Sequence, residues 1–407
     1  MKLFNTYRHL SKETYILALG RLVTAMGGMV FPMMTMILKV KMHMAADTIA
    51  YLFSGVSLAM IPLTLIGGKM ADHFTRRKII IVCDLISIIG YFYCAFFPLD
   101  LKAMAIFITA GLLQSMEGPA YSALVADLTT SKDRERAYSL NYLTLNLGMI
   151  LSPSIGGMLF ENHLPLLFLI NGIAIGISTL CIAIGLRHVT NTMQEENSRT
   201  VSSDRSTWSL LKEKPVLLLF MLCLALFWTL YSQNSYLIPL DLSYVYGEDG
   251  ALLYGTMSSL NCIVVVILTP VLTALLTRLR EPAKLLMAEG MCMAGFTVFL
   301  FGMHYRIFCY LAVAFYTSGE ILSQLSNDPY LTRRIPVTHR GRIIGTGTVV
   351  SAVLSALAQA GIGKLYAGSG SFITWCIILI CLAVTMGLTV LTIRKDRKSF
   401  PGLYKEI

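Results

Sequence analysis

Apolar residues run in long blocks along the chain, with polar and basic residues gathered between them. Twelve blocks stand out: 14–38, 48–69, 78–97, 102–126, 137–159, 165–186, 215–241, 250–276, 284–304, 306–328, 343–365 and 371–393. A helix needs about 20 mostly apolar residues to cross the hydrocarbon core of a bilayer, and each block reaches that length. The pattern predicts an all-α integral membrane protein of twelve transmembrane helices in two six-helix bundles. The widest polar gap, 187–214, divides six spans from six and reads as a flexible linker. It ends in the amphipathic stretch TWSLLKEKP, whose Trp208 is expected in the membrane interface before Pro215 opens the seventh span. The expected domains are 1–186, the linker 187–214, and 215–407, which includes a short basic tail.

Composition agrees. Of the 407 residues 55% are hydrophobic and 14% charged, where soluble domains carry about 25% charge; the mean hydropathy is +0.66. So few polar residues remain outside the spans that a soluble catalytic domain, a secreted disulfide scaffold and a nucleic-acid binder are all excluded. The net charge of +10 is an orientation signal: 27 of the 33 lysines and arginines fall in the tails and in loops on one side. Basic loops stay in the cytoplasm, so both termini are expected there, with the chain multi-pass in the cell (inner) membrane. Residues 1–13 are polar and the first block lacks a small-residue cleavage site, so no cleaved signal peptide is expected. The nine cysteines lie in apolar blocks without a CxxC pair, and the seven histidines lie in loops or near span ends. Neither metal nor cofactor is expected, and the chain is expected to act as a monomer.

The two halves repeat at a shift of about 206 residues. Arg134 and Arg136 map onto Arg340 and Arg342, Gly157 onto Gly363, and GKMADHFTRRK onto ALLTRLREPAK. Duplicated six-helix halves are the sequence sign of a transporter with its site near the midplane.

The loop after the second span reads Gly68-Lys-Met-Ala-Asp72-His-Phe-Thr-Arg76-Arg77-Lys78. It resembles the signature loop of the major facilitator superfamily, Gly-x-x-x-Asp-Arg-x-Gly-Arg-Arg/Lys, with His73 for the Arg and Thr75 for the second Gly. The resemblance implies that Gly68 lets two helices approach closely and that Asp72, Arg76 and Arg77 form a cytoplasmic gate. Its copy in the second half carries Arg278 where the acid should be. Asp127, Arg134 and Arg136 are expected to form a second charge cluster at the same face. In the fifth span Gly148, Ser152, Pro153, Gly156 and Gly157 resemble the superfamily's Gly-x-x-x-Gly-Pro-x-x-Gly-Gly motif of drug/proton antiporters. Small residues four apart let helices pack closely, and the proline bends the helix.

Ionisable groups inside spans cost free energy and need a reason to be there. Glu320 lies mid-span in the tenth block with Gln324 and Asn327 at i+4 and i+7, one polar stripe. Its Tyr-Thr-x-Gly-Glu-Ile setting resembles the tenth helix of proton-driven exporters, where that Glu serves the proton pathway; peptide transporters carry a similar one. Glu117, with Gln114 and Tyr121, forms a second stripe in the fourth block. The acid such exporters tend to place in the fifth helix falls here at Asn141, so Glu117 either shares its role or leaves one carboxylate to serve alone. Arg21 is either a cavity partner or a side chain snorkelling to the interface. Asp84 and Glu289 occupy nearly equivalent places in the third and ninth spans and are expected to pair with loop arginines. Further cavity candidates are Tyr142 and Asn146, and Tyr231, Gln233 and Asn234. Together these residues imply a proton-coupled transporter exporting amphipathic or cationic small molecules. The alternatives are a proton symporter importing peptides or another polar nutrient, or a lipid flippase on the same fold.

Overall fold

A computed structural model describes residues 10–129, 133–188, 213–276, 279–334 and 337–404. Within its helices a few side chains, Asp72 and Arg134 among them, lie outside the described residues, as does the linker 189–212 with Trp208. Each of the twelve apolar blocks is helical, and among the described residues there is no strand. The first block is α1 (Lys12–Gly27) and α2 (Val30–Met36), the latter running into a π turn at Ile37–Lys41. Then come α3 (Ala46–His73), α4 (Arg76–Phe96), α5 (Leu101–Asp127), α6 (Arg134–Phe160) and α7 (Leu164–Gly185). After the linker, α8 (Pro215–Tyr231) passes through a 3₁₀ turn at Ser232–Ser235 into α9 (Leu237–Tyr246). The rest are α10 (Asp249–Leu275), α11 (Glu281–Gly302), α12 (Arg306–Arg334) and α13 (Val337–Ser399). The 63-residue α13 breaks at Gly370, whose φ of 77° and ψ of 178° suit a residue without a side chain, so two helical stretches meet there at a kink. Nine of the described helices are long and apolar enough to cross a membrane, Val349–Ser399 counting once. Pro215 and Pro282 stand in the first turns of α8 and α11, where a missing N–H costs nothing.

The chain divides into two compact units. Unit 1 is Met1–Met44, Val56–Met193 and Leu242–Cys262; unit 2 is Ala45–Gly55, Gln194–Asp241 and Ile263–Ile407. Two short stretches thus group across the sequence-drawn boundary. In unit 1, α1 packs on α6 and α7, and α4 on α5 and α7; in unit 2, α11 packs on α12, and both α8 and α11 on α13.

Glycines mark where backbones meet. A Cβ on Gly148 would sit 2.5 Å from the Ala25 Cβ and 2.8 Å from the Leu22 carbonyl oxygen, fixing the α6–α1 crossing. Gly156 is looser, with the Met29 Cβ 3.2 Å from such an atom. A Cβ on Gly157 would sit 2.7 Å from the Ala251 carbonyl oxygen and the Leu252 Cα, and one on Gly255 would run into the Pro153 carbonyl oxygen, so the head of α10 packs within unit 1. Ser154 and Ser259 are hydrogen-bonded at 2.7 Å, and Lys41 pairs with Glu248 at 2.6 Å in the same unit. A Cβ on Gly363, the counterpart of Gly157, would run into the Ala50 Cβ in unit 2, where the Tyr236 hydroxyl donates to the Ala46 carbonyl. Gly68 is a correction: a Cβ there would meet nothing within 4 Å. Its neighbour Gly67 makes the approach instead, since a Cβ there would run into the Met116 carbonyl oxygen of α5: it is the residue on the face toward that helix.

Candidate functional site

The first half of the site is a cavity of about 360 Å³ inside unit 1, within the range of small-molecule pockets, about 300–1,000 Å³. Arg21 and Thr24 reach it from α1, Asp84 from α4, Gln114, Glu117 and Tyr121 from α5, and Ser178 from α7. Three candidates from the sequence, Gln114, Glu117 and Tyr121, therefore share one space with Arg21. The Arg21 guanidinium lies over the Tyr121 ring, 5.5 Å from its centroid. The Tyr121 hydroxyl faces the Leu17 carbonyl at 2.9 Å and the Asn141 Oδ1 at 3.2 Å. Asn141, 8% exposed, donates its amide to Ala137 of its own helix. It supports Tyr121 from behind and is absent from the cavity lining. Tyr142 is exposed at 53%, and the Asn146 amide donates to the Tyr142 carbonyl, so these two do not join the cluster.

Asp84 corrects an expectation. It is 5% exposed and accepts a hydrogen bond from Thr179 Oγ1 at 2.6 Å. It also lies within hydrogen-bonding reach of Glu117, in place of the loop arginines. Glu289 behaves alike in unit 2, fully buried and held by Thr389 Oγ1 at 2.6 Å. Both carboxyls lie about two turns into their helices, beyond reach of loop cations, and the nearest polar partner is a threonine on the last helix of the same half. The repeat read from the loops thus extends to this acid–threonine pair.

The second half of the site lies in unit 2. Glu320, half-buried on α12, accepts the Tyr231 hydroxyl at 2.5 Å. Tyr231 ends α8 and is 8% exposed, walled by Phe227, Trp228 and Tyr316. Gln233 is fully buried and donates to the Thr229 carbonyl at 3.0 Å and to Gln359 at 3.2 Å, tying α8 to α13. Asn234 and Asn327 are half-buried and Gln324 is exposed.

At the basic ends of the helices the charged residues regroup. Arg76 bonds to Asp127 and to the Ala123 carbonyl, and Arg77 donates to the Leu186 carbonyl at 2.8 Å. Arg136 instead pairs with Asp133 at 3.7 Å. Asp127 therefore answers the signature loop rather than Arg136, since the start of α4 runs beside the end of α5. The proposed roles of Asp72 and Arg134 fall outside the described residues. Unit 2 has a counterpart that the sequence did not reveal. Arg334, with a fully buried side chain, reaches Asp396 at 2.7 Å and Glu281 at 3.1 Å, and stacks on Tyr330 at 3.9 Å. Arg333 also pairs with Glu281, and Tyr404 donates to Asp396. The acid missing at Arg278 is supplied by Glu281, three residues on. A further buried carboxyl that went unread is Asp241 of α9, which accepts from Tyr366 at 2.6 Å and Trp375 Nε1 at 2.7 Å.

Helices crossing a bilayer, duplicated halves, and carboxyls and a cavity buried within them define a multi-pass membrane transporter rather than an enzyme. Residues 17–359 match the profile of the Major Facilitator Superfamily, and the chain belongs to that family. It is 23% identical over 318 residues to the MFS-type transporter YqjV of Bacillus subtilis (strain 168), spanning 77% of this chain and 75% of that protein. It is 25% identical over 388 residues to the class C tetracycline resistance protein of Escherichia coli, covering 90% and 92%. A crystal structure of peptide transporter POT in complex with sulfate superposes with a TM-score of 0.78 at 14% identity, covering 95% and 94%. At that identity the likeness concerns the fold.

Proposed function

We propose that this protein is a proton-coupled antiporter that exports amphipathic or cationic small molecules by alternating access, from the cytoplasm across the cell membrane. The observation that carries the reading is the Glu320 carboxyl, set mid-helix on α12 against the hydroxyl of Tyr231, whose own ring packs on Phe227 and Tyr316. A carboxyl can hold a proton or face a bound cation, but not both at once. Exchange of one for the other returns the carrier. The Arg76–Asp127 and Arg334–Glu281–Asp396 clusters tie helix ends together within each unit. The resistance function named for the tetracycline relative agrees with export.

A second reading, proton-coupled import of a zwitterion such as a peptide, is favoured by Arg21 and Glu117 facing one cavity. Transport in inverted vesicles separates the two. A lipophilic cation dye and a dipeptide are each offered with and without a pH gradient. The antiporter reading expects gradient-dependent uptake of the dye and none of the dipeptide; the opposite result overturns it.

A further inference from the structure

The exchange at Glu320 makes no use of Asp84. Asp84 on α4 and Glu117 on α5 lie within hydrogen-bonding reach of one another at the wall of the unit 1 cavity. The groups facing them come from every neighbouring helix. Arg21 reaches in from α1, Gln114 and Tyr121 from α5, Ser178 and Thr179 from α7, and Cys83 precedes Asp84 on α4. From α6, Asn141 accepts from the Tyr121 hydroxyl at 3.2 Å. Among the described residues lining the cavity Arg21 is the one cation. Thr179 Oγ1 lies 2.6 Å from Asp84 Oδ2 and 2.8 Å from the Ile175 carbonyl oxygen of its own helix.

A hydrogen bond between two carboxyl groups requires a proton on one of them, and two bare carboxylates so close in an apolar bundle repel. With one proton on the pair, Arg21 balances the remaining negative charge and the cluster is neutral. With none it carries −1. A neutral cluster is the cheapest to bury.

We propose that Asp84 and Glu117 hold a single proton between them, that Asp84 is therefore a proton-carrying residue, and that this proton is exchanged for a monovalent organic cation in the unit 1 cavity. The inference rests on the proton-coupled reading and adds to it a second proton position, away from Glu320. In the step itself one carboxyl O–H bond breaks, the proton passes to cavity water, and the cluster moves from neutral to −1. A bound monocation restores neutrality, and reprotonation expels it.

Infrared spectroscopy of the full-length protein in lipid, at neutral pH, reads the C=O stretch of protonated carboxyls directly. It is compared in wild type, Asp84→Asn, Glu117→Gln and the double variant. A shared proton means that either single substitution removes the whole band of the pair, because the surviving carboxyl then faces an amide donor and Arg21 and ionises. The double variant loses no more. Loss of half the band in each single variant, as two independent neutral carboxyls would give, overturns the proposal, and so does an unchanged band. Transport supplies a readout that a structural role would not move. In inverted vesicles with a pH gradient, Asp84→Asn should abolish accumulation of tetraphenylphosphonium and Asp84→Glu should restore part of it. A wild-type pH profile in Asp84→Asn makes the residue structural and overturns the inference. If the band behaves as expected and wild type accumulates no cation at all, the antiport reading falls and the proton pair stands. If wild type pumps and the band ignores Asp84, the reverse holds.

Discussion

Gly148 offers the most sharply graded perturbation. Alanine there places a Cβ 2.5 Å from the Ala25 Cβ, 2.8 Å from the Leu22 carbonyl oxygen and 2.9 Å from the Met26 nitrogen. Two of these are backbone atoms, so no rotamer change relieves the clash and α6 must move off α1. Overpacking of this kind costs about 1–3 kcal/mol. At about 2–4 °C per kcal/mol, the unfolding midpoint should fall by several degrees. Gly156→Ala meets its nearest neighbours at 3.2 and 3.3 Å, a squeeze of a few tenths of an ångström, and should cost under about 1 kcal/mol. Gly68→Ala meets nothing and should be neutral. The assay is thermal unfolding in detergent followed by a thiol-reactive dye. Six of the nine cysteines are buried and only Cys381 is exposed, so the signal reports opening of the helix bundles. Equal midpoints for the three alanine variants, or a loss at Gly68 greater than at Gly148, would refute the packing argument.

Other expectations follow from single contacts. Arg76→Ala leaves Asp127, whose side chain is 4% exposed, without its cation, and should destabilise by about 3–5 kcal/mol, read as a lowered midpoint; Asp127→Asn leaves Arg76, which is 18% exposed and still donates to the Ala123 carbonyl, and should cost less. Arg334→Ala strands two buried acids, Glu281 and Asp396, and should lower the midpoint at least as far as Arg76→Ala. Trp375→Phe deletes the donor to buried Asp241 and should cost about 1–3 kcal/mol. Tyr231→Phe removes the hydroxyl on Glu320 and should slow gradient-driven transport at unchanged protein yield; an unaltered rate would show that this bond does not serve coupling.

The helices and the repeat were legible because bilayer spans leave a strong one-dimensional signal of length and apolarity. The polar stripes were legible too, since Glu117, Gln114 and Tyr121 fall at helical spacing and do share a cavity. What stayed hidden were partners on other helices. Asp84 looked like a residue near a loop, and only the packing of α4 against α5 and α7 brings it to Glu117 and Thr179. The motif named Gly68, yet which of two adjacent glycines faces a neighbour depends on the rotation of α3, which spacing does not report. Glu281, Arg334 and Asp396 are far apart in the chain and carry no local pattern.

Glu320→Gln tests the central claim most directly, because it keeps the shape and removes the titrating group. Inverted vesicles carrying wild type or the variant are scored for two activities on the same lipophilic cation: accumulation driven by a proton gradient, and exchange of internal for external cation at equal pH. At one proton per monovalent cation the exchange moves no net charge, so each pH unit supplies about 1.4 kcal/mol, enough for a roughly 10-fold cation gradient. The account expects the variant to lose accumulation and to keep exchange, since binding and rocking survive while the proton has nowhere to sit. Accumulation to the wild-type level with the wild-type pH profile would contradict it.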